Sequence, residues 1–424
     1  MNQVFLYGAC EFAQWTYQRT LGQVKGRTIL GFIDGNPRKQ GKYFLGLPVV
    51  SFETAVGEYG ESFDLLITSS EKTAPDIIGF LLEKGVDPKR ILNYEPVEKR
   101  LGCVFCETQL IFQFVGNAAS IKICDCISQG GAKRLRPEYN LDPAKLDTES
   151  FNAALTHMNN LTEQISIGKV PDCCKECPFI QERYYFKNRK KRHIIWGGAV
   201  PCNYKCKDCI NNVMHKKYAF VSTLYDDIVR ALDIAENSGK LHENVTMAFG
   251  VSEPTFYPGH IQFLERASVY PLMFFTNGYL YSPAVADWLS KGNAEVYVSL
   301  DAGTAASYQR IKGVDGFEQV KANLRKYAKY GPVILKYIVF EGINDNEEDF
   351  EGFMQFADDV ASMVLISRDF YAPGELSDHT LQLAAKFIRY YRNNMKLSDI
   401  IGFKRGSEPE RLQICLEELE HDGE

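Results

Sequence analysis

From residue 193 onward the chain repeats one unit: a short apolar run, a turn of glycine and polar residues, then a stretch with apolar residues three and four apart. The runs 244–250, 272–275, 295–300 and 333–340 read as strands buried on both faces. Between them, spacings such as Leu224, Ile228, Leu232 and Ala235, or Phe317, Val320, Leu324 and Tyr327, mark helices with one buried face. Such alternation predicts parallel strands covered by helices, with function gathered in the turns at the carboxyl ends of the strands. Those turns carry Glu253, then Thr276 and Asn277, then Ser299 and Asp301, then Asn344.

The first of these runs, 193–201, leads into Cys202, Cys206 and Cys209, three thiols within eight residues. A closed structural zinc or cubane site takes four protein ligands, so a local group of three points to a metal centre with one position open. A zinc knob completed by a distant His or Cys is the other reading of the triplet alone. The spacing C-x3-C-x2-C after a strand resembles the signature of the radical SAM superfamily. That resemblance implies a 4Fe-4S cluster on Cys202, Cys206 and Cys209 whose fourth iron chelates S-adenosylmethionine (SAM).

The later turns extend the resemblance over about half the chain. Glu253, within 250–255, stands where the family has a GGEP motif whose acidic residue bonds the SAM ammonium. Ser299, Asp301 and Arg310 with Gly313 match a strand-four pattern, in which Arg310 would clamp the methionyl carboxylate. Thr276 and Asn277 match the family's T-N-G turn, and Asn344 its strand-five asparagine, both near the ribose and methionyl ends of the cofactor. One departure is Asp208, where the family usually has an aromatic residue for packing adenine.

Seven cysteines fall between residues 103 and 177. Runs on either side of Gly116 predict a β-hairpin with cysteines before and after it. Closed by Cys174 and Cys177, the arrangement resembles the SPASM and twitch auxiliary-cluster regions of radical SAM enzymes, although here it precedes the catalytic part. The quartet expected for one auxiliary 4Fe-4S cluster is Cys106, Cys124, Cys174 and Cys177, with Cys103, Cys126 and Cys173 as adjacent alternatives. A structural zinc ribbon uses similar pairs. The basic run 187–192 reads as a solvated linker into the last domain.

At the start, an apolar strand at 4–7, a glycine turn from Gly8, a helix carrying Trp15 and a second strand ending at Asp34 give the order of a Rossmann-type unit. Gly8 would let the backbone approach a pyrophosphate, and Asp34 would accept a ribose hydroxyl. The run 31–41 with 46–49 resembles the N-terminal domain of bacterial sugar acetyltransferases, which implies a nucleotide-sugar ligand. Helices at 52–59 and 75–84 and strands at 63–68 and 90–93 complete the expected parallel sheet.

The fold class expected is α/β: a Rossmann-like sheet (1–97), a small cysteine-rich α+β auxiliary-cluster region (98–186) and a partial (β/α)6 radical SAM barrel with C-terminal helices (187–424). A net charge of -6 gives no reason to expect a nucleic-acid partner. No export signal and no run of about 18 apolar residues is present, so a cytoplasmic chain without a membrane partner is expected. The function implied is reductive cleavage of SAM, using an external electron donor such as flavodoxin or ferredoxin, and hydrogen abstraction from a small molecule, preferably a nucleotide-linked sugar. A ribosomally made peptide is the second substrate class, and a non-enzymatic iron-sulfur or zinc scaffold with a nucleotide-sensing domain the third reading.

Overall fold

The computed structural model describes all of the 424 residues except 1–2, 11, 14–16, 116–117, 123, 125–137, 143–144, 176, 178, 200–201, 208, 210–223, 370–371 and 422–424. Trp15, Gly116, Cys126 and Asp208, singled out above, lie outside the described residues, as does the side chain of Cys173.

Five strands form the N-terminal sheet: β1 (Gln3–Tyr7), β2 (Thr28–Ile33), β3 (Tyr43–Phe44), β4 (Leu47–Val50) and β5 (Asp64–Ile67), in the order β3-β4-β2-β1-β5. All neighbours pair in parallel except β3 with β4. The strand expected at 90–93 shrinks to one bridge, Leu65 with Ile91. Asp87 caps a tight turn over Pro88–Arg90 there, and a proline-led turn supplies no extended run to pair.

Next come β6 (Val97–Cys103), β7 (Gln109–Val115), β8 (Ala118–Lys122), β9 (Glu138–Leu141) and β10 (Ile180–Phe186). The barrel strands follow: β11 (Lys191–Ala199), β12 (Leu241–Val251), β13 (Leu272–Thr276), β14 (Ala294–Ser299), β15 (Val333–Val339), β16 (Met363–Arg368) and β17 (Leu397–Ile401). β11 to β17 are consecutive and parallel, one strand more than the six expected. The predicted hairpin is β7 with β8, and β7 pairs in parallel with β11 from Gln109↔His193 to Val115↔Ala199. One ten-stranded sheet therefore runs from the cysteine-rich stretch into the barrel.

Aromatic packing fuses these strands. Trp196 of β11 stacks on Phe112 of β7 at 4.6 Å, and Phe249 of β12 stacks on Phe263 of helix Gly259–Arg266 at 4.0 Å. All four rings are buried, and each pair adds about 0.5–1.5 kcal/mol beyond the area it removes from water.

The N-terminal unit touches both margins of the barrel. Glu95 accepts from both Arg192 nitrogens at 2.9 and 2.6 Å and lies 3.1 Å from His242. Burial pushes the Glu95 carboxyl up, but hydrogen bonds from His242 and Arg192 outweigh it and bring it down to about 2. Asp76 pairs with Arg183 and accepts from the Tyr184 amide of β10 at 3.1 Å. On the far margin Lys42 donates to the Asn393 carbonyl at 3.3 Å, and Met395 packs on the cluster around Val4, Leu6 and Phe32. The basic run 187–192 is solvated at Lys187, Asn188 and Lys190, as expected of a linker, but its end is packed: Lys191 and Arg192 are buried, Lys191 donating to the Cys106 carbonyl at 2.6 Å and Arg192 lying over the Phe186 ring. Among the described residues no helix is long and apolar enough to cross a membrane.

Candidate active site

A cavity of about 710 Å³ occupies the barrel interior, and its wall gathers Cys202, Cys206, Cys209, Glu253, Thr276, Asn277 and Ser299. Seven residues from four separate stretches of sequence converge because each follows or ends a parallel strand, whose carboxyl ends share one rim.

The loop bearing the cysteines rests on helix Ala305–Lys312. The Lys207 amide donates to the Ile311 carbonyl at 2.7 Å, and Gly313 ends the helix in the left-handed region at φ 72°. A Cβ at Gly313 would lie 2.7 Å from the Lys205 carbonyl oxygen, so only glycine lets the loop sit this close. Tyr204 is buried with its hydroxyl 2.8 Å from that of Tyr308 on the same helix.

Glu253 is fully buried. Its Oε1 accepts from the Thr255 amide at 3.1 Å, from the Thr255 hydroxyl, and from the Thr276 hydroxyl at 2.7 Å, while Oε2 accepts from the Asn277 amide. Burial pushes its pKa up, against the pull of these donors. Oε2 carries one protein donor where a carboxylate oxygen takes about two, so acceptor capacity remains toward the cavity. Asn277 stitches this carboxylate to the cysteine loop, since its side-chain amide donates to Asn203 at 2.8 Å and approaches the Cys202 sulfur at 3.7 Å.

Burial pushes the Cys202 thiol up to about 12 and the Cys206 thiol upward as well. Half-buried thiols of this kind become thiolates when a metal supplies the compensating charge. Among the described residues no three His, Cys, Asp or Glu side chains converge tightly enough to hold a single metal ion. The donor set on one cavity wall is nonetheless soft and threefold, and it faces a carboxylate with spare acceptor capacity. Those features fit a thiolate-held cluster beside a zwitterionic cofactor.

Arg310 departs from the expectation. It is exposed, outside the cavity, and donates to the Gly342 carbonyl at 3.0 Å. The physical reason is helical: residues 310 and 312 lie about 200° apart around the axis, so when one faces outward the other faces in. The inward residue is Lys312, buried, on the cavity wall and paired with Asp301. Arg310→Ala is therefore expected to leave SAM affinity within about twofold of wild type by calorimetry, as for a surface change.

Asp301 and Asn344 also stand behind the wall rather than on it. Asp301, at φ 59°, accepts from the Ile338 amide at 2.8 Å and holds Lys312. Asn344 is fully buried; it donates to the Asp301 and Ile338 carbonyls at 2.7 and 2.8 Å and accepts from the Phe340 amide at 2.7 Å. Both are braces for the left-handed turn after β14, and neither presents a polar group to a ligand.

In the N-terminal unit the roles expected of Gly8 and Asp34 give way to internal contacts. The bare Cα of Gly8, at φ 114°, faces Ser69, whose hydroxyl would lie 3.1 Å from a Cβ there. Asp34 accepts from the Ala9 amide at 3.0 Å, the Asn36 amide at 2.9 Å and the Lys39 ammonium at 3.0 Å, so its carboxylate ties together the turns after β1 and β2.

The cysteine-rich stretch collects at one end of the β6–β10 ribbon. Cys103 and Cys106 are buried and share a hydrogen bond that lowers the first thiol to about 7 and raises the second; the charge of Cys124 adds to the rise at Cys106. Cys174 and Cys177 stand just before β10, whose first residue, Ile180, pairs with Cys103. Cys103 thus lies as close to Cys106 as any member of the expected quartet.

Residues missed from sequence also line the cavity. Lys336 sits in the middle of β15, where a lysine interrupts the apolar run 333–340 and gave the one available signal. Among the described residues its ammonium has no hydrogen-bond or ion-pair partner, and burial pushes its pKa down. Ser70, Glu71 and Lys72, after β5, bring the N-terminal unit into the same wall. No local pattern marks them.

Comparison with known proteins agrees with this geometry. A profile described as "Radical SAM superfamily" matches residues 184–357. The chain is 26% identical over 185 residues to a GTP 3',8-cyclase of Pasteurella multocida, covering 42% of this chain and 51% of the relative. It is 30% identical over 149 residues to a probable GTP 3',8-cyclase of Thermococcus kodakarensis, covering 34% and 47%. The chain spans about half the length of these relatives. Among solved structures, Streptococcus suis SuiB bound to S-adenosylmethionine aligns over 69% of this chain and 70% of that one, at 13% identity and a TM-score of 0.39.

Proposed function

Residues 184–357 belong to the radical SAM superfamily, and from that premise we propose that this enzyme abstracts a hydrogen atom from a small anionic substrate, preferably one linked to a nucleotide. The superfamily's cofactors are a 4Fe-4S cluster and SAM. When bound, they would supply one-electron chemistry for hydrogen abstraction from the substrate, with the electron coming from an external donor.

The chain's own part follows from its residues. Cys202, Cys206 and Cys209 would hold the cluster, and Glu253, through Oε2, would receive the SAM ammonium. Thr276 and Asn277 fix that carboxylate, and Lys312, not Arg310, is the cation on the cavity wall that feels the charge of Cys206 and Cys209 and would face a carboxylate group. Positioning a reacting carbon–hydrogen bond and excluding water are tasks for the cavity walls. A metal scaffold without catalysis would have no need of the buried Glu253 with its cradle of donors.

The observation that carries the substrate reading is Lys336. A half-buried ammonium on an enclosed wall gains from a partner, and Asp301, the carboxylate whose charge acts on it, is already held by Lys312 and the Ile338 amide. An anionic ligand group completes it. A nucleotide-linked substrate is favoured because the Rossmann-like unit, through Ser70, Glu71 and Lys72, walls the same cavity, and because the relatives matched are GTP cyclases by name. The cysteines from 103 to 177 would hold an auxiliary cluster, drawn from Cys103, Cys106, Cys124, Cys174 and Cys177.

Reconstituted protein given SAM and dithionite should form more 5'-deoxyadenosine when GTP or a UDP-sugar is added. Lys336→Met, which keeps bulk and removes charge, should raise the half-maximal concentration about 10- to 100-fold, the loss of a charged hydrogen bond. Stimulation by peptides and by no nucleotide would overturn the substrate class.

A further inference from the structure

A second cavity, of about 530 Å³, lies between the N-terminal unit and the last barrel strand. One side is built from the turns after β1 and β2, including Ala9, Asn36 and Arg38; the other from Arg392 of helix Asp378–Asn393, Met395, and Ser398 and Asp399 of β17. Ser398 and Asp399 also line the catalytic cavity, so β17 borders both spaces.

Charge in the second cavity is predominantly positive. Lys39 is held by Asp34 and by the Ala9 carbonyl at 2.6 Å, which fixes the turn after β1. Arg38 and Arg392 come from different parts of the chain to the wall of the same space, which also carries Asp399. Asp399 itself accepts from the Ile400 amide at 2.7 Å. Paired guanidinium forks match the oxygens of a phosphate chain, and Phe44, Met363 and Met395 give the same cavity an apolar side suited to a base or sugar ring.

We infer that this second cavity is the pyrophosphate subsite of the substrate, with Arg38 and Arg392 as its clamps, and that the rest of the substrate passes Ser398 into the catalytic cavity. This rests on the nucleotide reading above and replaces Gly8 and Asp34 as the expected contacts. The chemistry recognised is two linked phosphates, whether of a nucleoside diphosphate sugar or of a nucleoside triphosphate. Two linked phosphates then sit between Arg38 and Arg392 while the remaining anionic group of the substrate meets Lys336 in the catalytic cavity, and a substrate held by both parts of the chain is oriented before any radical is made.

The test uses the full reconstituted chain and inorganic pyrophosphate as the calorimetric probe. Wild type should bind it, and Arg38→Ala and Arg392→Ala should each weaken binding about tenfold or more, with Arg392→Lys intermediate. Arg38 is an exposed turn residue, so its variant tests the subsite even if the helix variant folds poorly. GTP and UDP-glucose are then titrated against bound pyrophosphate; the better competitor identifies the source of the phosphates. Absence of pyrophosphate binding, equal affinity in wild type and Arg38→Ala, or failure of both nucleotides to compete would overturn the subsite. SAM cleavage by the same wild-type sample separates the two ideas, because its loss would bring down the radical reading while a failed subsite leaves that reading standing.

Discussion

Replacing Cys202, Cys206 and Cys209 together with alanine is expected to abolish SAM cleavage under dithionite. Each thiol lines the catalytic cavity, and the loop that bears them is anchored at both ends of its course, by Lys207 on the Ile311 carbonyl and by Asn277 on Asn203. Alanine removes the donors without disturbing those anchors. Cleavage at the wild-type rate would remove the basis for the active site. Iron analysis of the same variant reads the other cysteines: about four irons per chain should remain if one auxiliary cubane is held between Cys103 and Cys177. Zinc in place of iron would make that stretch a structural metal module.

The triple variant also separates local anchoring from ligation. Gly313 presses against Lys205 and the Tyr204 hydroxyl meets Tyr308, contacts that position the loop beside the one in which the Tyr204 amide donates to the Cys202 sulfur at 3.4 Å. Thermal unfolding of the apo-variant is expected to match that of the apo-wild type, since the thiols are only partly buried and surface-type changes shift stability by about 0.5 kcal/mol or less.

What the sequence displayed and what it hid divide along the range of the interactions. Strands at 244–250, 272–275, 295–300 and 333–340 were legible because burial on both faces leaves unbroken apolar runs, and the residues of their terminal turns were legible as a set. Direction around a helix was harder. Arg310 fitted a motif, yet its distance of two residues from Lys312 decided which cation faces inward. Asp34 and Asn344 show a second kind of difference: a polar residue at a strand end attracts a ligand role on paper, while the structure engages it with neighbouring backbone groups. Nothing local revealed that β7 would pair with β11, or that the N-terminal unit would wall the barrel. Those pairings join residues 80 or more positions apart in sequence, such as Gln109 with His193 and Glu95 with Arg192.

Glu253→Gln is expected to weaken SAM binding about 10- to 150-fold, the cost of a lost charge-assisted hydrogen bond in a buried site. The cause is the cradle of donors around the side chain. Thr255, Thr276 and the Asn277 amide all donate toward this side chain, an arrangement that suits a carboxylate and leaves a glutamine NH2 facing at least one donor. The substitution thus removes the charge and also pushes on Asn277, whose side chain reaches Asn203 and Cys202 in the cysteine loop. Iron content measured beside calorimetry tells the two effects apart, since loss of charge alone leaves the cluster loaded. The pH dependence gives an independent signature. Burial raises the Glu253 pKa, so its negative form is lost as pH falls through that raised value, and the ammonium of SAM then loses its partner. Wild-type affinity should therefore decline toward acid pH, and Glu253→Gln, with no proton to take up, should show a flatter profile over the same range. Wild-type affinity in Glu253→Gln with the cluster intact would show that the ammonium is held elsewhere.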